Sequence, residues 1–87
     1  MATEEIKQAL KPPSLPDEIR FLTVTGVRYW VPWEQMLPGD SFFIKTSATA
    51  KQVKDALGPA ESYFGYVLAT ATRCEFGYYG ARVWRMA

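Results

Sequence analysis

Apolar and polar positions alternate most clearly in the last third of the chain. Gly65-Tyr66-Val67-Leu68-Ala69-Thr70-Ala71-Thr72-Arg73-Cys74-Glu75-Phe76 and Ala81-Arg82-Val83-Trp84-Arg85-Met86-Ala87 flank Gly77-Tyr78-Tyr79-Gly80. Val, Thr, Tyr, Phe and Trp suit a pleated, half-buried surface, and the bracketing glycines suit a turn. This predicts a β-hairpin with Gly77–Gly80 as its loop. In that register Phe76 faces Ala81, Glu75 faces Arg82, Cys74 faces Val83, Arg73 faces Trp84 and Thr72 faces Arg85. One face then carries Leu68, Cys74, Phe76 and Val83 toward the core. The other carries Arg73, Glu75, Arg82 and Trp84, with opposite charges and an arginine–tryptophan pair across from each other. Each such pair is worth roughly 0.2–1 kcal/mol.

Upstream, Glu18–Gly26 alternates Ile19, Phe21, Thr23 and Thr25 against Arg20, Leu22 and Val24, which predicts a strand ended or bulged at Gly26. Val27–Val31 continues as a second strand segment. Pro32 favours one helical turn through Met36, and Pro38-Gly39-Asp40 signals a turn before the short strand Ser41–Lys45. Thr49-Ala50-Lys51-Gln52 fits a capping box opening a helix over Ala50–Leu57, with Val53, Ala56 and Leu57 as its apolar stripe. Gly58 and Pro59 suit a helix stop, although a new turn over Ala60–Phe64 or a kinked continuation fits the same residues. Near the N-terminus, Thr3, Glu4, Glu5, Ile6, Ala9, Leu10 and Lys11 form a short helix pattern, and Pro12, Pro13 and Pro16 a linker. The order predicts an α+β fold: a small antiparallel sheet of three to five strands, one main helix packed on one face, and a closing hairpin. Residues 1–17 read as an arm and linker, and 18–87 as a single domain. The small core and open sheet edges favour self-association.

Composition narrows the chemistry. The 87 residues carry 10 Lys and Arg against 9 Asp and Glu, for a net charge of +1. That is less basic than dedicated nucleic-acid binders, though it leaves room for a local basic face. Histidine is absent, which removes the usual general base, triad base and metal ligand. Gly39-Asp40-Ser41 therefore reads as a turn with local amide caps and not as a hydrolase block. The single Cys74 cannot make an internal disulfide and favours a reducing compartment. The carboxylates form no spaced cluster, and no glycine-rich loop leads into a helix. We expect no metal, no cofactor and no catalysis, and a cytoplasmic location without a membrane span.

What remains is surface: Arg73, Tyr78, Tyr79, Arg82, Trp84 and Arg85. Arginines contact phosphate and aromatics stack on bases, which suits nucleic acid. The same residue types dominate protein–protein hot spots. A third reading has Trp84 in the core and the arginines solvated. Lys45, Lys51 and Lys54 extend a basic strip if their face adjoins the sheet.

Tyr29-Trp30-Val31-Pro32-Trp33-Glu34-Gln35-Met36-Leu37-Pro38-Gly39-Asp40-Ser41-Phe42-Phe43, with Thr72-Arg73 and Gly80-Ala81-Arg82-Val83-Trp84-Arg85, resembles a group of short proteins encoded by tailed bacteriophages. Those share an aromatic–Pro–aromatic step, then Gly-Asp-Ser-Phe, a helix and a closing Arg-Val-Trp-Arg. The Gly58-Pro59 break and a less basic segment before the hairpin depart from the group. The resemblance implies a phage accessory protein that binds a host or phage macromolecule in the bacterial cytoplasm, and it carries over no site residues.

Overall fold

The computed structural model describes residues 15–87. The helix pattern near the N-terminus and most of the proline linker lie outside the described residues. Among the described residues the fold is α+β, with one main helix and five strands in two antiparallel sheets. A helical turn, α1 (Asp17–Arg20), leads into the hairpin of β1 (Phe21–Val24) and β2 (Val27–Trp30). A 3-10 turn (Trp33–Gln35) and β3 (Ser41–Lys45) precede α2 (Ala50–Phe64). The chain closes with β4 (Leu68–Glu75) and β5 (Tyr78–Arg85). β5 is the central strand of the three-stranded sheet, between β3 and β4.

Each departure from expectation has a local cause. The strand expected from Glu18 begins only at Phe21. Pro16 caps a helical turn instead, its carbonyl accepting from the Ile19 and Arg20 amides, with Asp17 and Glu18 at the positive end. From Phe21 onward the alternation holds, with Leu22 and Val24 buried and Thr23 exposed. The capping box is present: the Thr49 hydroxyl accepts from the Gln52 amide at 3.1 Å, and the Gln52 side chain accepts from the Thr49 amide at 2.8 Å. The helix does not stop at Leu57. It runs through Gly58 and Pro59 to Phe64. Pro59 has no amide for the Asp55 carbonyl, but Asp55 is exposed, and burial of Ala60 gives the helix reason to continue. The left-handed stop is Gly65, at φ 73°.

Val53, Leu57 and Ala60 sit at i, i+4 and i+7 and press on Leu22, Val24, Ile44, Leu68, Ala81 and Val83. Trp33, fully buried, fills the middle with its ring edge-on to Phe42 at 5.6 Å and tilted to Phe64 at 6.3 Å. The helix thus covers one face of the three-stranded sheet. The face of β3, β5 and β4 that points the other way carries the candidate site.

Candidate nucleic-acid interface

The C-terminal hairpin forms, but with a tighter turn than the glycine spacing predicts. Phe76 and Gly77 alone make the turn, at φ 54° and 80°, and Glu75 pairs with Tyr78. An X-Gly pair with both φ positive matches the strand twist of a two-residue hairpin, so the predicted Gly77–Gly80 loop is corrected. Ala71, not Glu75, stands across from Arg82, and Ala69, not Arg73, across from Trp84. The partners move by an even number of residues, so the faces survive the slip. Arg73, Glu75, Arg82 and Trp84 share the outer face, and Leu68 and Val83 share the inner one.

Two inward assignments fail. Cys74 is exposed and Phe76 is 86% exposed. Cys74 pairs with exposed Tyr79 close to the end of the ribbon, and Phe76 is itself a turn residue, so neither reaches the core.

The outer face is made by three strands. β3 supplies Ser41, Phe43 and Lys45, paired with Trp84, Arg82 and Gly80 of β5; β4 supplies Arg73 and Glu75. Arg82 spans the face. Its guanidinium donates twice to the Glu75 carboxylate, at 2.7 and 2.6 Å, and once to the Ser41 hydroxyl at 2.8 Å. It also approaches the Phe43 ring at 5.9 Å. Arg73 lies 3.3 Å from Glu75 and 5.9 Å from the Trp84 ring, with half its side chain open to solvent. The Lys45 ammonium sits 3.9 Å from the centre of the Tyr78 ring. Three cations therefore face one carboxylate, interleaved with Phe43, Tyr78 and Trp84. Such contacts are worth roughly 0.5–1 kcal/mol each when exposed, enough to order the rings without burying them.

The arrangement separates the six residues singled out by sequence. Arg73, Tyr78, Arg82 and Trp84 come together. Tyr79 and Arg85 project from the opposite face. Arg85 is a structural residue there: it donates to the Met36 carbonyl and stacks on Tyr66 at 3.7 Å, while Tyr66 stacks on Phe64 at 4.9 Å. Phe43 was missed, although β-strand alternation over Ser41–Lys45 already put it on the same face as Lys45. Lys45 joins the face. Lys51 and Lys54 do not, because they lie on the helix, paired with Asp55 and Glu61.

Hydrogen bonds from Arg82, opposed by partial desolvation and helped by the charges of Arg82 and Arg73, hold the Glu75 carboxyl below the usual carboxylate range; the same contact raises Arg82. A lowered folded-state pKa means that the pair stabilises fully above the unfolded carboxylate value of about 4.3, and that this is lost as pH falls through the folded value. Glu75→Gln should therefore melt below wild type at pH 7. Thermal melts from pH 7 to pH 2 should show the two curves converging in acid. Parallel curves would remove the pair from the stability account.

The turn forms at Pro38-Gly39 with Asp40 capping it as expected, but Ser41 already belongs to β3 and its hydroxyl accepts from Arg82 and caps no local amide. The Asp40 carboxylate accepts from the Leu37 amide at 2.9 Å, and the Asp40 amide donates to the Leu37 carbonyl. A cavity of about 240 Å³ beside it is lined by Pro32, Gln35, Met36, Asp40, Ser41 and Phe42. Among the described residues no three His, Cys, Asp or Glu side chains converge as metal ligands, and no helix is long and apolar enough to cross a membrane. The chain matches no family model, no curated protein and no solved structure.

Proposed function

We propose that the chain is a non-enzymatic accessory protein that binds single-stranded nucleic acid across the outer face of β3, β5 and β4. One observation carries the reading: Lys45, Arg73 and Arg82 alternate with Phe43, Tyr78 and Trp84 on the sheet face that the helix leaves open. Cations track a phosphate backbone while flat rings stack on bases, and neither needs a particular sequence. Successive same-face positions on a strand lie roughly 7 Å apart, close to the spacing of nucleotides in an extended strand. Arg82 is held by two hydrogen bonds to Glu75, so Lys45, which is exposed, and Arg73, whose half-exposed side chain makes only a 3.3 Å ion pair with Glu75, are the cations most open to phosphate. The resemblance to short phage proteins over Tyr29–Arg85 supports reading it as a phage accessory protein acting in the host cytoplasm.

Fluorescence anisotropy with short single-stranded DNA and RNA tests this. The expected result is micromolar binding at low salt, with log K falling against log salt at a slope of roughly −1.4 for two phosphate contacts. Lys45→Ala/Arg73→Ala should abolish most of that slope, and Lys51→Ala on the helix face should leave it unchanged. Glu75→Gln, which removes the only carboxylate of the face, should tighten binding. No binding at low salt would retire the reading. A protein-interaction module is the second reading, favoured by Trp30, which is 60% exposed on the β1–β2 hairpin with Arg20 5.3 Å from its ring. A Trp-centred protein interface would weaken far less with salt.

A further inference from the structure

The apex of the β4–β5 hairpin is built against its own backbone preference. Phe76 takes a left-handed conformation at φ 54°, where a bulky L-residue is disfavoured and Asn, Asp or Gly normally stands. The ring recovers nothing from packing, being 86% exposed. Thr25 occupies the equivalent position of the β1–β2 turn at φ 48°, but it exposes a small polar side chain whose hydroxyl donates to the Val24 carbonyl at 2.7 Å. Phe76 has no comparable local contact. It combines a strained backbone with a solvated aromatic ring, and strain kept at an exposed site points to use outside the chain.

The surroundings indicate what that use is. β3 ends opposite Gly80 at Lys45, so beyond Gly80 the sheet narrows to a two-stranded ribbon. Tyr78, half-exposed on the outer face with Lys45 against its ring, is the stacking position nearest the apex. The adjacent acid, Glu75, is held by Arg82 and Arg73, which offsets much of its charge toward a polyanion. A strand running along Trp84, Phe43 and Tyr78 would reach the apex one step later.

We propose that Phe76 stacks on an unpaired base and ends the path of a single strand held along the outer face. This rests on the nucleic-acid reading above and extends it by one base beyond Tyr78.

Phe76→Asn and Phe76→Leu separate the alternatives. Asparagine tolerates the left-handed turn, so Phe76→Asn should melt a few degrees above wild type, which also shows that it folds. Against oligothymidylate, Phe76→Asn should bind roughly 5- to 150-fold more weakly, the fold-change of one lost base–aromatic stack. Its salt slope should be unchanged, because no cation is removed. Phe76→Leu keeps apolar area without a flat ring and should be similarly weakened. If wild type binds and Phe76→Asn binds equally, the stacking role is overturned while the sheet face stands. Full binding by Phe76→Leu would also overturn it, because an apolar pocket accepts leucine and a base stack does not. If wild type binds no oligonucleotide, both inferences fall together.

Discussion

Replacing Gly80 with alanine is expected to destabilise the fold by about 3 kcal/mol, the upper end for overpacking a tight site, and to lower Tm by roughly 12–24 °C. An alanine Cβ there would stand 2.0 Å from the Ile44 carbonyl oxygen and 2.7 Å from Cζ of Phe43. The ring can swing aside. The carbonyl cannot, because it belongs to β3, and β3 would have to leave β5 to make room. Gly80 is buried, sits in the ladder opposite Lys45 and Arg73, and leaves room for the Phe43 ring on the outer face. The substitution should thus strike both the sheet and the proposed stacking platform. Thermal melts measure the first effect. Amide exchange measures its location, with Phe43–Lys45 losing protection first. An unchanged Tm would mean that β3 packs more loosely on β5 than these distances allow.

Trp33→Ala should cost about 3–5 kcal/mol, the usual range for emptying a buried aromatic site. Total stability for a chain of this size is about 4–13 kcal/mol, so the variant should lose a large share of it, and at the lower end of that range it should be largely unfolded at 37 °C. Trp33 joins the 3-10 turn to Phe42 of β3 and Phe64 at the end of α2. Its carbonyl also accepts from the Tyr66 hydroxyl at 3.0 Å. The indole Nε1 is buried without a hydrogen-bond partner. An unpaired buried donor costs about 1–3 kcal/mol, so Trp33→Phe, which removes it, should lose much less than the alanine variant despite the smaller ring. Urea unfolding of the two variants gives the comparison. Equal losses would show that the ring's volume contributes little and that the site collapses around either residue.

Both residues carry the lesson about sequence and structure. Trp33 lies in an aromatic-rich run, and nothing in its neighbours separates it from Trp30, three positions earlier. Trp30 is 60% exposed and Trp33 is fully buried, because β2 ends at Trp30 and Pro32 turns the chain inward. Gly80 reads as a loop glycine from its place four residues before Trp84. It is a strand residue because a two-residue turn at Phe76-Gly77 already closes the hairpin, leaving Gly80 to pass beneath Phe43.

By itself the sequence determined what depends on period and local chemistry. The 2-residue alternation put Arg73, Glu75, Arg82 and Trp84 on one face. The capping box started the main helix at Ala50, and Pro38-Gly39-Asp40 placed the turn before β3. These hold because each is set within a few residues of chain. Only the tertiary structure decided which strand faces meet the helix and where the core ends. It left Cys74 and Phe76 outside, pulled Arg85 onto Tyr66, carried the helix through Pro59 and brought Phe43 and Lys45 beside the hairpin. Those outcomes depend on residues distant in sequence competing for one small buried volume, and no local pattern encodes the result of that competition.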